Sequence, residues 1–180
     1  MNKTEHQFDQ VINLCKKLFL KKMKDYGTSW RIMRPSSVTD QLYIKAQRVQ
    51  SIEIKGEQKI EDDFIAEFIG LVNYGIIGLI QLDLGLGSES DLIFEEAERL
   101  YNEKAEIARS LMLNKNHDYG EAWREMRVSS YTDLILMKIY RVKQIEDNSG
   151  QTTVSEGIDA NYLDIINYAI FALIKLEIEK

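Results

Sequence analysis

The chain has 180 residues, 44% hydrophobic and 29% charged, the composition of an ordinary soluble globular protein. Its net charge of −6 excludes a protein that grips nucleic acid by charge alone, because that affinity is built from many Lys/Arg–phosphate contacts. A single cysteine, Cys15, excludes an intramolecular disulfide and a cysteine-based zinc site.

A first helix is predicted over about 4–24. Phe8, Val11, Ile12, Cys15, Leu18 and Phe19 recur at spacings of three and four and give it one apolar face. Cys15 on that face reads as a reduced core thiol of a cytoplasmic protein. The N-terminal residues run straight into this charged amphipathic pattern, with no apolar stretch of signal-peptide type. Gly27 suits a C-terminal cap. A short helical turn is expected over 29–33. Pro35-Ser36-Ser37 then opens a second helix running to about Ile54, with Ser37 and Asp40 at capping-box spacing. A polar loop over 55–59 leads to a third helix over about 61–84. From Phe68 to Leu82 that helix is apolar on nearly every side, so it is expected to be enclosed by others. Gly70, Gly75 and Gly78 each cost helix propensity, roughly 1 kcal/mol against Ala, which implies close approach of a neighbouring helix.

Residues 85–90 read as a linker between residues 1–84 and 91–180. Ser90 or Asp91 is expected to cap a fourth helix running to about His117. Gly120 ends it, a turn occupies 121–126, and Ser130 with Asp133 starts a fifth helix reaching Ile145. A polar loop over 147–153 leads to a last helix over 155–179. The two longest apolar runs, 68–82 and 162–176, fall short of the roughly 20 residues that span a bilayer. They read as buried helices, and no membrane partner is expected.

The second half repeats the first. Residues 115–133 match residues 22–40 at 12 of 19 positions, sharing Lys, Asp-Tyr-Gly, Trp-Arg, Met-Arg, Ser-Ser and Thr-Asp. Residues 160–176 match 66–82 at seven of 17 positions, among them Asn73-Tyr74 with Asn167-Tyr168. The expected architecture is all-α: two tandem copies of a three-helix module, packed as a pseudo-twofold bundle in the way a homodimer would be. Self-association of whole chains is left open.

Candidate chemistry falls mainly in the second copy. On a helical wheel starting at Glu156, Asn167 falls near about 20°, Asp164 near about 80° and Asp159 near about −60°. Glu156, Asp159 and Asp164 would thus share a face, and such carboxylates suit Mg²⁺. Glu156 and Asp159 also suit a helix N-terminus with no ligand. Asp164, inside an apolar segment, needs a partner: Lys138, Arg141 or a metal. Lys138, Arg141 and Arg127 are candidate phosphate ligands, with ion pairing to acidic helix faces as the alternative. Tyr119 and Trp123 would stack a base or serve as core aromatics. Asn73 and Asn167 must find hydrogen bonds within the core, or else orient a ligand. No catalytic triad or P-loop motif is present.

The elements D-Y-G-x-x-W-R-x-M-R and V-S-E-G-I-D-A-N-Y-L-D-I-I-N-Y-A (154–169) resemble the nucleotide modification associated domain 1 family, in a tandem form covering almost the whole chain. That resemblance implies a link to nucleotide metabolism. The all-α pattern with its D-x-x-N-Y helix is more distantly similar to MazG-like nucleoside triphosphate pyrophosphohydrolases, which implies Mg²⁺-dependent hydrolysis of a (d)NTP. The E-E-x-x-E element of those enzymes is absent. The first copy departs further, with Gly70 in place of Asp164, Ile65 of Asp159, Asp62 of Glu156 and Glu67 of Asn161. The function expected is nucleotide binding, with pyrophosphohydrolysis as its catalytic form. The alternative is a non-catalytic helical module that senses a nucleotide or docks a protein.

Overall fold

A computed structural model of the protein describes residues 2–56 and 64–179. It is all-α. Among the described residues six helices run in chain order: α1 (Lys3–Tyr26), α2 (Pro35–Lys55), α3 (Phe64–Leu84), α4 (Phe94–Tyr119), α5 (Val128–Asp147) and α6 (Ile158–Leu173). Short 3₁₀ turns at Ser29–Ile32 and Ala122–Glu125 precede α2 and α5, and α6 ends in a wider π-type turn, Ile174–Ile178. The expected start of the third helix at Glu61 and the end of the preceding loop lie outside the described residues, as does Asp62.

Several helix starts differ from the sequence expectation, each for a local reason. Asn2 caps α1 by accepting the Glu5 N–H at 2.8 Å. α2 starts at Pro35, whose fixed φ suits the first helical position and which has no N–H to satisfy. Ser37 therefore lies inside the helix and is not its cap; Ser130 of α5 is likewise inside. α4 begins at Phe94, because Asp91 turns away to pair with Arg31. α6 begins at Ile158, so Glu156 lies in the preceding loop.

α3 and α6 make the most extensive contact, flanked by α2 on α3 and α5 on α6, and α2 meets α5 across the bundle. The α3–α6 contact explains two glycines. A Cβ at Gly75 would lie 2.6 Å from Ile166 Cγ1, and one at Gly78 would lie 2.7 Å from the Tyr162 ring. Only hydrogen fits there. The outer helices are exchanged: α1 touches α6 as well as α3, and α4 touches α3 as well as α6. The core is thus shared by both copies. α3 is long and apolar enough to cross a membrane by length and composition, but 72% of its most apolar window is buried inside this bundle.

Paired contacts tie the copies together. Thr39 donates to Glu146 at 3.1 Å and shares a 2.6 Å hydrogen bond with the Tyr162 hydroxyl. Thr132, the counterpart of Thr39, lies beside Glu53, the counterpart of Glu146, and lowers its carboxyl pKa against the effect of burial. The linker is held by Arg31, which is buried. Its guanidinium pairs with Asp91 at 3.0 Å and donates to Gln81 and, at 2.7 Å, to the Gly85 carbonyl.

Candidate functional site

Asp164 lies on α6 facing α4 and α5, and its side chain is 6% exposed. A buried carboxylate needs compensation, because desolvation penalises its charged form. Two ammonium groups supply it. Lys115 Nζ, from the last turns of α4, lies 2.7 Å from Oδ1. Lys138 Nζ, from α5, lies 2.8 Å from Oδ2. Each carboxylate oxygen is thus taken by one lysine. Burial lowers the Lys115 pKa, but the Asp164 hydrogen bond and charge outweigh it, aided by Tyr168 and Glu156, and the net direction is up. The Tyr168 hydroxyl is pushed up first by burial and then by the charge of Asp164, and drawn down by Lys115 and Arg141.

Beside this triad a cleft of about 540 Å³ opens between the C-terminal half of α5 and the loop before α6. Lys138, Arg141, Gln144, Glu156 and Asn161 line it, with hydroxyl and amide groups of the loop opposite. Arg141 stands one turn beyond Lys138 and makes no hydrogen bond or ion pair among the described residues. The loop keeps its shape through Asn148 donating to the Gln151 carbonyl at 2.9 Å and Thr152 donating to the Ser155 carbonyl at 2.7 Å. Asn161 donates to the Gly157 carbonyl at 2.8 Å, which fixes the start of α6.

The first copy builds the same corner differently. Lys45 is the counterpart of Lys138, Lys22 of Lys115 and Gly70 of Asp164. The acid stands one turn earlier, at Glu67, where Arg48 bonds it and Lys45 reaches it at 3.7 Å. A smaller cleft of about 280 Å³ lies here, lined by Lys22, Tyr26, Lys45, Glu67, Gly70 and Tyr74.

The structure brings some of the sequence candidates together and separates others. Lys138, Arg141 and Asp164 share one corner. Glu156 reaches its edge from the loop, so the helical-wheel placement does not apply to it. Asp159 is exposed in the first turn of α6, where it complements the helix dipole. These three acids do not converge as a metal site, and among the described residues no group of three His, Cys, Asp or Glu side chains is placed to hold an ion. With both Asp164 oxygens on lysines, the donor set does not fit Mg²⁺. Arg127 stands at the other end of α5, about 16 Å along the axis from Lys138, and cannot share a phosphate with it. Trp123 does not offer a face to a base. One face stacks on Phe171 at 4.3 Å, and the Arg124 guanidinium lies 4.3 Å from its centroid. Arg124 is itself occupied by Glu121, Glu179, Thr4 and Gln7. Tyr119 is exposed at the end of α4, close enough to Tyr168 to affect its titration.

Asn73 and Asn167 are core hydrogen-bonding residues. Asn73 donates to the Cys15 carbonyl at 3.1 Å and accepts from the Tyr101 hydroxyl at 2.8 Å. Asn167 donates to the Ala108 carbonyl at 3.0 Å, while its buried Oδ1 has no donor among the described residues. Lys115, which holds one oxygen of Asp164, is the residue of this corner that sequence reasoning missed. Its only signal was its identity with Lys22 at the first position of the repeated stretch.

Comparison with known proteins agrees with the duplicated plan. Residues 22–82 and 115–176 each match the sequence profile of nucleotide modification associated domain 1. No curated protein and no solved structure gave a match, and the MazG-like resemblance has no counterpart among these findings. With well over half its length covered by the two matches, the chain belongs to the nucleotide modification associated domain 1 family and carries the domain twice.

Proposed function

We propose that the protein binds a nucleotide through its phosphate groups in the cleft of the second copy. The observation that carries this reading is Arg141, a guanidinium with no hydrogen bond or ion pair among the described residues. It stands beside Lys138 at the mouth of a polar cleft of about 540 Å³. Arg is a bidentate partner for phosphate, and the hydroxyl-rich loop opposite it supplies donors to ribose or phosphate oxygens. The family description, which links the domain to nucleotide modification, points to the same ligand class. Cys15, buried and free, fits a reducing compartment such as the cytoplasm.

A sensing or binding role is favoured over hydrolysis by Asp164. Its two oxygens are each taken by a lysine, which supports a role as anchor for Lys138 over a role as base or metal ligand. The test is a panel of canonical and modified (d)NTPs and monophosphates with Mg²⁺ or Mn²⁺, read by thermal shift and by pyrophosphate release. Binding without release, weakened at least about tenfold in Arg141→Ala, is the expected result. No thermal shift and no turnover with any nucleotide would sink the reading. Turnover lost in Asp164→Ala would instead make the protein the pyrophosphohydrolase that the resemblance implies.

A further inference from the structure

The two copies show the same pair of lysines with and without the anion between them. In the second copy the Asp164 carboxylate bridges Lys115 and Lys138, one oxygen to each. In the first copy both lysines are present, as Lys22 and Lys45, but Gly70 stands where the second copy has the carboxylate. Glu67 does not replace it. It lies one helical turn toward the start of α3, is bonded by Arg48, and meets Lys45 only at 3.7 Å. Lys22 makes no hydrogen bond or ion pair among the described residues.

Space is kept where the anion is missing. The first-copy cleft of about 280 Å³ is lined by Lys22, Lys45, Gly70 and Tyr74, with Glu67, already bonded by Arg48, at its side. Lys45 lies across Gly70: a Cβ there would be 2.6 Å from its Cδ and 2.7 Å from its Cε. Its ammonium sits 5.5 Å from the centre of the Tyr74 ring, a weaker partner than a carboxylate. Lys45 is a long, flexible chain, and its ammonium would turn from Glu67 and Tyr74 toward an incoming anion as Lys138 is turned toward Asp164.

We propose that the first-copy cleft is a second ligand site, which takes the oxyanion of a small molecule between Lys22 and Lys45 in the place that the Asp164 carboxylate fills in the second copy. The ligand class is set by that carboxylate: a carboxylate or phosphate head with two oxygens to share, on a body small enough for a cleft at the low end of ligand-pocket size. Tyr74 and the exposed Tyr26 flank the body of the ligand. The inference is independent of the nucleotide reading, because it concerns the other copy and different residues report on it.

The test is an NMR titration of the whole chain with inorganic phosphate, a deoxynucleoside monophosphate, aspartate and succinate. The Gly70 and Tyr74 amides should shift saturably with at least one of these, and the tightest binder identifies the oxyanion and its source. Lys22→Gln, on an exposed side chain, should weaken that binding at least about tenfold. Gly70→Asp should abolish it and raise the melting temperature, because the variant supplies the bridging carboxylate from the chain itself. No saturable shift with any of the four, or shifts that persist unchanged in Lys22→Gln, would overturn the proposal. If Gly70→Asp does not fold, Lys22→Gln decides alone.

Discussion

The first and second copies reach one fold by different local solutions, and the differences are paired. Where α3 has Gly75 and Gly78, α6 has Ala169 and Ala172. Where α6 has Ile166 and Tyr162, α3 has Val72 and Phe68. Gly75 and Gly78 face Ile166 and Tyr162, so the smaller residue of one copy meets the larger residue of the other. A core at crystal-like density requires such exchange, because a methylene added on one side must be removed on the other. The charged corner follows another rule. Asp164 is matched by nothing at Gly70, and the acid at Glu67, one turn earlier, bonds Arg48 and meets Lys45 at 3.7 Å while leaving Lys22 without an anion. Packing differences between the copies are compensated, whereas the charge difference is left open, and that is where ligand chemistry is expected.

The largest effect should come from breaking the compensated corner. Asp164→Ala leaves the well-buried Lys138 without its anion and should cost about 3 kcal/mol. That corresponds to a fall in melting temperature of about 6–12 °C for a chain of this size, measured by calorimetry. A shift under about 2 °C would mean that the lysines find other partners easily. Next is the packing exchange. Gly75→Ala should cost about 1–3 kcal/mol through its clash with Ile166, and adding Ile166→Val should recover most of it by giving the pair the Ala–Val composition of the other copy. A double variant as unstable as the single one would refute compensation at this contact.

A smaller effect tests the asparagines. Tyr101 supplies the hydroxyl to Asn73, but its counterpart in the first copy is Phe8, and Asn167 Oδ1 has no donor among the described residues. Phe8→Tyr should therefore stabilise the protein by about 1 kcal/mol in denaturant unfolding, whereas Tyr101→Phe should destabilise it. The smallest effect is in pH. Burial pushes up the carboxyls of Glu146 and Glu53, partly offset by hydrogen bonds from Thr39 and Thr132. An acid whose folded pKa is raised binds its proton more tightly when folded. It therefore costs stability as pH climbs from the ordinary carboxylate value through its folded pKa. Glu146→Gln should be relatively more stable at pH 7 than at pH 4. The opposite trend in pH-dependent melts would reverse this assignment.

Much of the fold was legible because its signals are periodic or punctuating. The apolar runs gave the buried helices, the 12 identities of the repeated stretch gave the duplication, and glycines 70, 75 and 78 announced close contacts. Helix starts were less legible: Ser37 and Ser130 have capping spacing, but Pro35 and the extended residue Arg127 set the ends first. The site was half legible. Asp164 stood out as a charge in an apolar run, and Lys138 was named among its partners. Lys115 was hidden, because a lysine on a polar helix face looks alike whether it reaches solvent or a buried acid two helices further along the chain. Glu156 was misplaced because a wheel presumes a helix, and α6 starts two residues after it. Trp123 could have been either anchor or platform, and only its stacking on Phe171 decides.

The linker pinned by Arg31 has a consequence for what selection can reach. In a dimer of identical chains every substitution appears twice, so an anion pocket cannot be closed on one side and opened on the other. A covalent join holds the halves together at an effective concentration that no dilution removes. It also makes them separately mutable. One gene can then carry a carboxylate at residue 164, where it holds the bundle, and a glycine at the matching residue 70.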